Sequence, residues 1–248
     1  MAAQRTKLGV FGGSTAAGFG VGGHRFTQLV AARLELEELN LAGTGALLDH
    51  TVTVTDGAAD CEVVIAMHGM GEALVRPPQR ALRLMPRRWR RRGWMDPRAY
   101  YSSRLQKRIP QRIESAVRWR VKVALIRLTG GEQLMPRDEF AALHARFLDS
   151  LRHQGVPTIV VVGSPLVDER YFPHSLANGI EYEQIAREQA EAAGAIFVSS
   201  ATTLDRWDDY FLDHLHPTAA GHARLAERVL EALEAAGGAE RDYAEAVA

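Results

Sequence analysis

The stretch Lys7-Leu8-Gly9-Val10-Phe11-Gly12-Gly13-Ser14-Thr15-Ala16-Ala17-Gly18 constrains the rest of the chain most. Leu8, Val10 and Phe11 read as a short buried strand that starts almost at the N-terminus. Two glycines break it, and a hydroxyl residue follows before an alanine-rich run. A strand, a tight turn and a helix start lift Ser14 onto the C-terminal rim of a sheet, where the N–H groups of the turn converge. The same residues also suit a plain loop in which Ser14 only caps a helix.

Other apolar segments say what kind of sheet this strand joins. Leu34 to Leu41 alternates leucine with acids and reads as a second strand. Glu62 to Met67 is a continuous apolar run, the mark of a central parallel strand. Val156 to Gly163 is a buried strand with Pro157 at its permitted start, and Ala195 to Val198 is a fifth. Phe26 to Leu34, Phe140 to Leu151 and Tyr182 to Ala193 read as helices between them. Strands separated by helices predict parallel order and right-handed crossovers, hence a three-layer α/β/α fold with a five-stranded, flavodoxin-like sheet. Ligands in such sheets bind at the C-terminal strand ends, where Ser14, Gly45 and Gly71 all fall.

At 248 residues and 46% hydrophobic, the chain can bury one good core. We expect a single domain over residues 1–248, with an inserted basic cap at 76–130 and a frayed tail at 237–248. Zero net charge makes no general argument for nucleic acid. The lone Cys61 opens an apolar run, reads as a core residue and excludes an intramolecular disulfide. A reducing, cytoplasmic setting is expected, since residues 1–6 are too polar for a signal peptide and no apolar run reaches membrane-spanning length. Gly13-x4-Gly18 has phosphate-loop spacing, but Phe19-Gly20 stands where lysine and a hydroxyl are needed. Dinucleotide spacings fail as well, and no cofactor is expected.

Near the other end lies Asp213-His214-Leu215-His216-Pro217, an acid three residues before a histidine in one loop. The carboxylate can accept the Nδ1–H of His216 and fix its tautomer, leaving Nε2 to take a proton from a serine hydroxyl. Asp208 and Asp209 are nearby carboxylates, but the three-residue offset favours Asp213. Together with Gly12-Gly13-Ser14, this block resembles the SGNH (GDSL) hydrolase family, in order and spacing over about residues 6–236. Gly13 stands where that family usually has aspartate. The resemblance implies Ser14 as nucleophile, His216 as base and Asp213 as its partner. It also implies an oxyanion donor from a glycine after the second strand, for which Gly45 fits best and Gly43 second. The family's third block, Gly-x-Asn-Asp, overlays Gly69-Met70-Gly71-Glu72, so Gly71 replaces an asparagine that normally donates to the oxyanion. Losing such a donor costs roughly 2.7–4 kcal/mol of transition-state stabilisation. Either a backbone N–H near Gly71 or the side chain of His68 substitutes, or generic esters turn over slowly.

Residues 76–122 carry sixteen Lys/Arg against two acids, so the remainder of this neutral chain is acidic by fourteen charges. Arg87-Arg88-Trp89-Arg90-Arg91-Arg92-Gly93-Trp94 interleaves tryptophan with arginine. Ile109, Ile113, Val117, Val121, Leu125 and Leu128 then recur at three or four residues. That spacing predicts an amphipathic helix over Gln111–Leu128 with a basic face, started by Pro110 and stopped by Gly130-Gly131. Val121 to Leu128 as a strand is the weaker alternative. Basic runs are usually solvated faces. The functional expectation is a cap over the serine, with Arg90, Arg91 and Arg92 recruiting an anionic substrate such as a phosphate-bearing acyl carrier protein, a coenzyme A ester or a lipid head group. Tyr100 and Tyr101 are assigned to the same cap. RNA is a lesser option, because no other nucleic-acid signature accompanies the patch.

The expected activity is an acyl hydrolase, an esterase or thioesterase working through an acyl-serine. An acyltransferase using the same residues is the alternative. A metallohydrolase built on Asp213, His214, His216 and His222, and an interaction module without catalysis, are the readings from other classes.

Overall fold

A computed structural model describes residues 5–90 and 105–247. Five strands form one sheet: β1 (Lys7–Gly12), β2 (Glu37–Asn40), β3 (Cys61–Met67), β4 (Thr158–Val162) and β5 (Ile196–Val198). Their order is β2-β1-β3-β4-β5, and every pair is parallel. The helices between and after them are α1 (Phe26–Arg33), α2 (Leu48–Thr51), α3 (Met70–Ala73), α4 (Gln79–Leu82) and α5 (Leu105–Thr129). Then follow α6 (Arg137–His153), α7 (Ser175–Ala192), α8 (Ser200–Thr203) and α9 (Ala219–Val247).

The continuous apolar runs have a simple cause: both faces of the sheet are covered. Along β1, Leu8 and Val10 face α1 and α9 while Phe11 faces α6, its ring edge-on to Phe147 at 5.4 Å. On β3, Val63, Ile65 and Met67 join the first layer, and Val64 and Ala66 the second. Val160 and Val162 of β4 repeat the alternation against Ile159 and Val161. Each strand therefore feeds two cores, and a polar residue at any of these positions would be buried unpaired. Cys61 is fully buried at the head of β3.

Several boundaries differ from the sequence expectation. β2 spans only four residues, because Leu34 closes α1 and Glu35 turns the chain in the left-handed region with φ 57°. α5 begins before Pro110, which is its sixth residue and so leaves the Gln106 carbonyl without its i→i−4 donor. α9 runs through the Gly237-Gly238 pair to Val247.

The largest difference concerns which way α5 faces. The apolar positions Ile109, Ile113, Val117 and Leu128 are exposed, whereas Ser115, Arg118, Lys122, Val123 and Ile126 are buried. Periodicity identifies residues that share a face but not the direction that face takes. Here the Lys122 ammonium lies 3.7 Å from the centroid of the Phe172 ring, and Trp119 packs edge-on to Tyr171 at 5.0 Å. The excursion from 77 to 131 is pinned at its neck. Arg76 and Glu132 exchange two backbone hydrogen bonds, at 3.0 and 2.9 Å.

Candidate active site

β1 delivers the first group. At Gly12 the chain takes φ +146°, and a Cβ there would sit 2.4 Å from the carbonyl oxygen of Met67 on β3. Only glycine lets the two central strands end this close together. The chain then winds into turns over residues 14–21, not directly into a helix, and Ala17 N–H donates to the Gly13 carbonyl. Ser14 is thereby set at the C-terminal edge of the sheet.

The loop before α9 delivers the others. Asp213 is fully buried; its Oδ1 accepts the N–H groups of Leu215 and His216, both at 3.1 Å, which fixes the carboxylate. Its Oδ2 pairs with His216 Nδ1 at 2.8 Å, and His216 Nε2 lies 2.9 Å from Ser14 Oγ. Phe19 covers the imidazole, ring centroids 4.7 Å apart. Hydroxyl, imidazole and carboxylate thus stand in one hydrogen-bonded line, able to draw a proton off Ser14 onto His216.

Ser14 and His216 open onto a cavity of about 570 Å³, which Gly45, Gly71, Arg76 and apolar side chains also line. Among the described residues, the N–H groups of Ser14, Gly45 and Gly71 donate to no protein acceptor. Gly45 has φ +79° and faces open space. Gly43 is corrected: its N–H donates to the Gly12 carbonyl at 3.1 Å and is unavailable to a ligand.

His68 is corrected as well. His68 borders the cavity, but its Nε2 pairs with Thr51 Oγ1 at 2.9 Å and its ring packs edge-on to Phe147. Burial, with a smaller contribution from His144, pushes it down to about 3, so it is a neutral core histidine. Glu72, in the position of the third block's acid, accepts Leu48 N–H at 2.9 Å and Gly69 N–H at 3.0 Å. It ties the loops after β2 and β3 together. Burial nevertheless raises its pKa.

The residues of the metal reading diverge. His214 turns to Asp168, Nδ1 to Oδ2 at 2.7 Å, and His222 Nδ1 accepts the N–H of Phe26 at 3.1 Å. No three His, Cys, Asp or Glu side chains among the described residues are placed to hold a metal ion. Asp209 accepts the N–H of Asp205 at 2.8 Å and pairs with Arg224, away from His216. Arg90 is exposed and donates to the Met85 carbonyl; Arg91, Arg92, Tyr100 and Tyr101 lie outside the described residues. Sequence reasoning did not find Arg76 or Leu47 in the cavity wall, nor the Asp168–His214 pair, because no spacing links them to Ser14.

No family model matches the chain, and no curated protein matches its sequence. Solved structures do. TesA superposes with a TM-score of 0.59 at 15% identity, covering 92% of this chain and 97% of its own. LAE5, an alpha/beta hydrolase from the metagenome of Lake Arreo, gives 0.57 at 16%, covering 92% and 94%. Axe2, an acetylxylan esterase from Geobacillus stearothermophilus, gives 0.56 at 16%, covering 92% and 93%. The chain shares the fold of these structures, a five-stranded parallel sheet covered by helices on both faces. Against the SGNH pattern that the sequence resembles, the departures fall at Gly13 and Gly71. A Cβ at Gly71 would lie 2.9 Å from Leu47 Cδ2, so Leu47 fills the space a longer side chain there would take.

Proposed function

We propose that the protein is a serine-dependent acyl hydrolase acting on esters or thioesters. The observation that carries this reading is the line from Ser14 Oγ through His216 to buried Asp213, opening onto an apolar cavity. The esterase named among the solved structures of like fold supports it.

In the proposed cycle Ser14 Oγ attacks the carbonyl carbon while His216 Nε2 takes the hydroxyl proton. Asp213, accepting from Nδ1, holds the tautomer and stabilises the imidazolium. The N–H groups of Ser14, Gly45 and Gly71 receive the oxyanion, the last replacing a side-chain amide with a backbone donor. His216 then protonates the departing alcohol or thiol, and water drawn in by the same imidazole releases the acid. The cavity volume lies in the range of small-molecule sites. Its walls include Leu47, Leu74, Leu134 and Leu215, which suit an aliphatic acyl chain. Arg76, the one Lys or Arg among the described residues of the wall, donates to the Gly71 carbonyl and suits an anionic group on the same substrate or its carrier.

The test is intact-mass detection of an acyl-enzyme across esters and carrier-bound thioesters, paired with Ser14→Ala. The wild type should gain the mass of the acyl group. Ser14→Ala should gain none and lose on the order of 10³-fold or more in turnover. Undiminished turnover in Ser14→Ala would refute the proposal.

A further inference from the structure

Five of the seven large apolar side chains exposed among the described residues fall in one excursion: Leu84, Ile109, Ile113, Val117 and Leu128. Four of them line α5, between 44% and 82% exposed. Lys107, Arg112, Arg120 and Arg127 are exposed on the same helix, whose one acid is Glu114. At about 1.5 Å per residue, the stripe from Ile109 to Leu128 runs roughly 29 Å. A helix that served only its own core would turn this stripe inward. Here Arg118 and Lys122 face inward and the aliphatic residues face out. An apolar stripe left outside in this way marks a contact surface.

Charge and shape choose its occupant. A second copy of the chain would set one arginine-rich helix against another, and like charges would oppose the pairing. A compact acidic protein would satisfy the cations but leave much of a five-turn aliphatic stripe uncovered. An anionic lipid surface meets both requirements: head groups take the guanidinium and ammonium groups, and the acyl boundary takes Ile, Val and Leu. No helix among the described residues is long and apolar enough to cross a membrane, so the contact lies along the surface. We propose that α5 docks this protein on an anionic membrane surface through Ile109, Ile113, Val117 and Leu128. α5 touches the cavity wall only through neighbours, since none of its own residues lines it. Its C-terminal end leads to Leu134 in the wall, and Lys122 lies over Phe172, which packs with wall residues Leu74 and Leu215.

The experiment is sedimentation of the full chain with vesicles of phosphatidylcholine alone or with about one-third phosphatidylglycerol. Partition should be about tenfold or more stronger on the anionic vesicles, and should weaken as salt is raised. Ile113→Asp/Val117→Asp should lose at least about tenfold of that partition with an unchanged thermal midpoint, because both side chains are exposed. Ile109→Ser/Leu128→Ser probes the two ends of the stripe and should weaken partition too. Three results would overturn the proposal: no preference for anionic vesicles, partition indifferent to both double variants, or self-association or binding of an acidic protein through the stripe in place of vesicles. The readout is partition, so it stands or falls independently of Ser14.

Discussion

Gly71 departs most from the block it resembles, and its neighbour Leu47 explains how the site absorbs the change. Gly71→Asn alone forces Leu47 to move, since the new Cβ meets Leu47 Cδ2 at 2.9 Å. We expect that single variant to lower kcat/KM, whereas Gly71→Asn with Leu47→Ala restores room for a side-chain donor and raises kcat on a small ester about tenfold. Equal rates in the double variant and the wild type would mean that the backbone N–H already suffices. Asp213→Asn should act differently, through the tautomer of His216. With the amide facing Nδ1, turnover should fall about 10³–10⁴-fold with little change in KM, read from steady-state kinetics. Gly12→Ala tests the strand ending itself. Its Cβ meets the Met67 carbonyl at 2.4 Å, so roughly 2 kcal/mol or more of stability should be lost in urea denaturation.

At the scale of elements, the loop carrying Asp213 and His216 is held from behind. His214 adopts φ 48°, stacks on Trp207 at 4.6 Å and bonds to Asp168, which also accepts from Arg170 Nε at 2.9 and 3.1 Å. Burial tends to raise the pKa of Asp168, but the hydrogen bonds from Arg170 and His214 together hold it below the ordinary carboxylate range. A depressed carboxylate stabilises the fold above its unfolded pKa, and that stabilisation is lost as pH falls through the folded value. Asp168→Asn should therefore loosen the loop. We expect kcat to fall about tenfold with KM little changed, and the thermal midpoint to drop by a few degrees at neutral pH but by less in acid. An equal drop at both pH values would deny the ion pair its role.

For the molecule as a whole, three histidines are buried in neutral form. Burial lowers His68 to about 3 and His144 and His222 to about 4, while in the unfolded chain each titrates near its ordinary value of about 6.5. Between about pH 6.5 and 4 the unfolded state binds more protons than the folded one. Stability falls with pH across that window, by up to about 1.4 kcal/mol per histidine per pH unit. His144 sits between Phe140 and Phe147, with centroids at 5.5 and 6.4 Å. His144→Leu should remove about a third of the slope of unfolding free energy against pH, measured by urea titrations from pH 6.5 to 4.5. An unchanged slope would mean that His144 contributes nothing to acid sensitivity.

Local pattern alone was enough for the sheet. Val63 to Met67 and Ile159 to Val162 are apolar on both faces because helices cover both, and that requirement is written residue by residue. Gly12 and the Asp213-x-x-His216 offset were legible for the same reason, since a tight strand ending and an acid-to-imidazole bond are local demands. Contacts across the chain were not. Whether the Gly43 or the Gly45 N–H stays open depends on the Gly12 carbonyl, thirty-one positions away from Gly43. Whether His68 faces the cavity or the core depends on Thr51 and Phe147. The direction of α5 depends on Phe172 offering a ring to Lys122. Period and propensity determine which residues share a face, whereas only the packed neighbours determine where that face points and which hydrogen-bonding groups remain open.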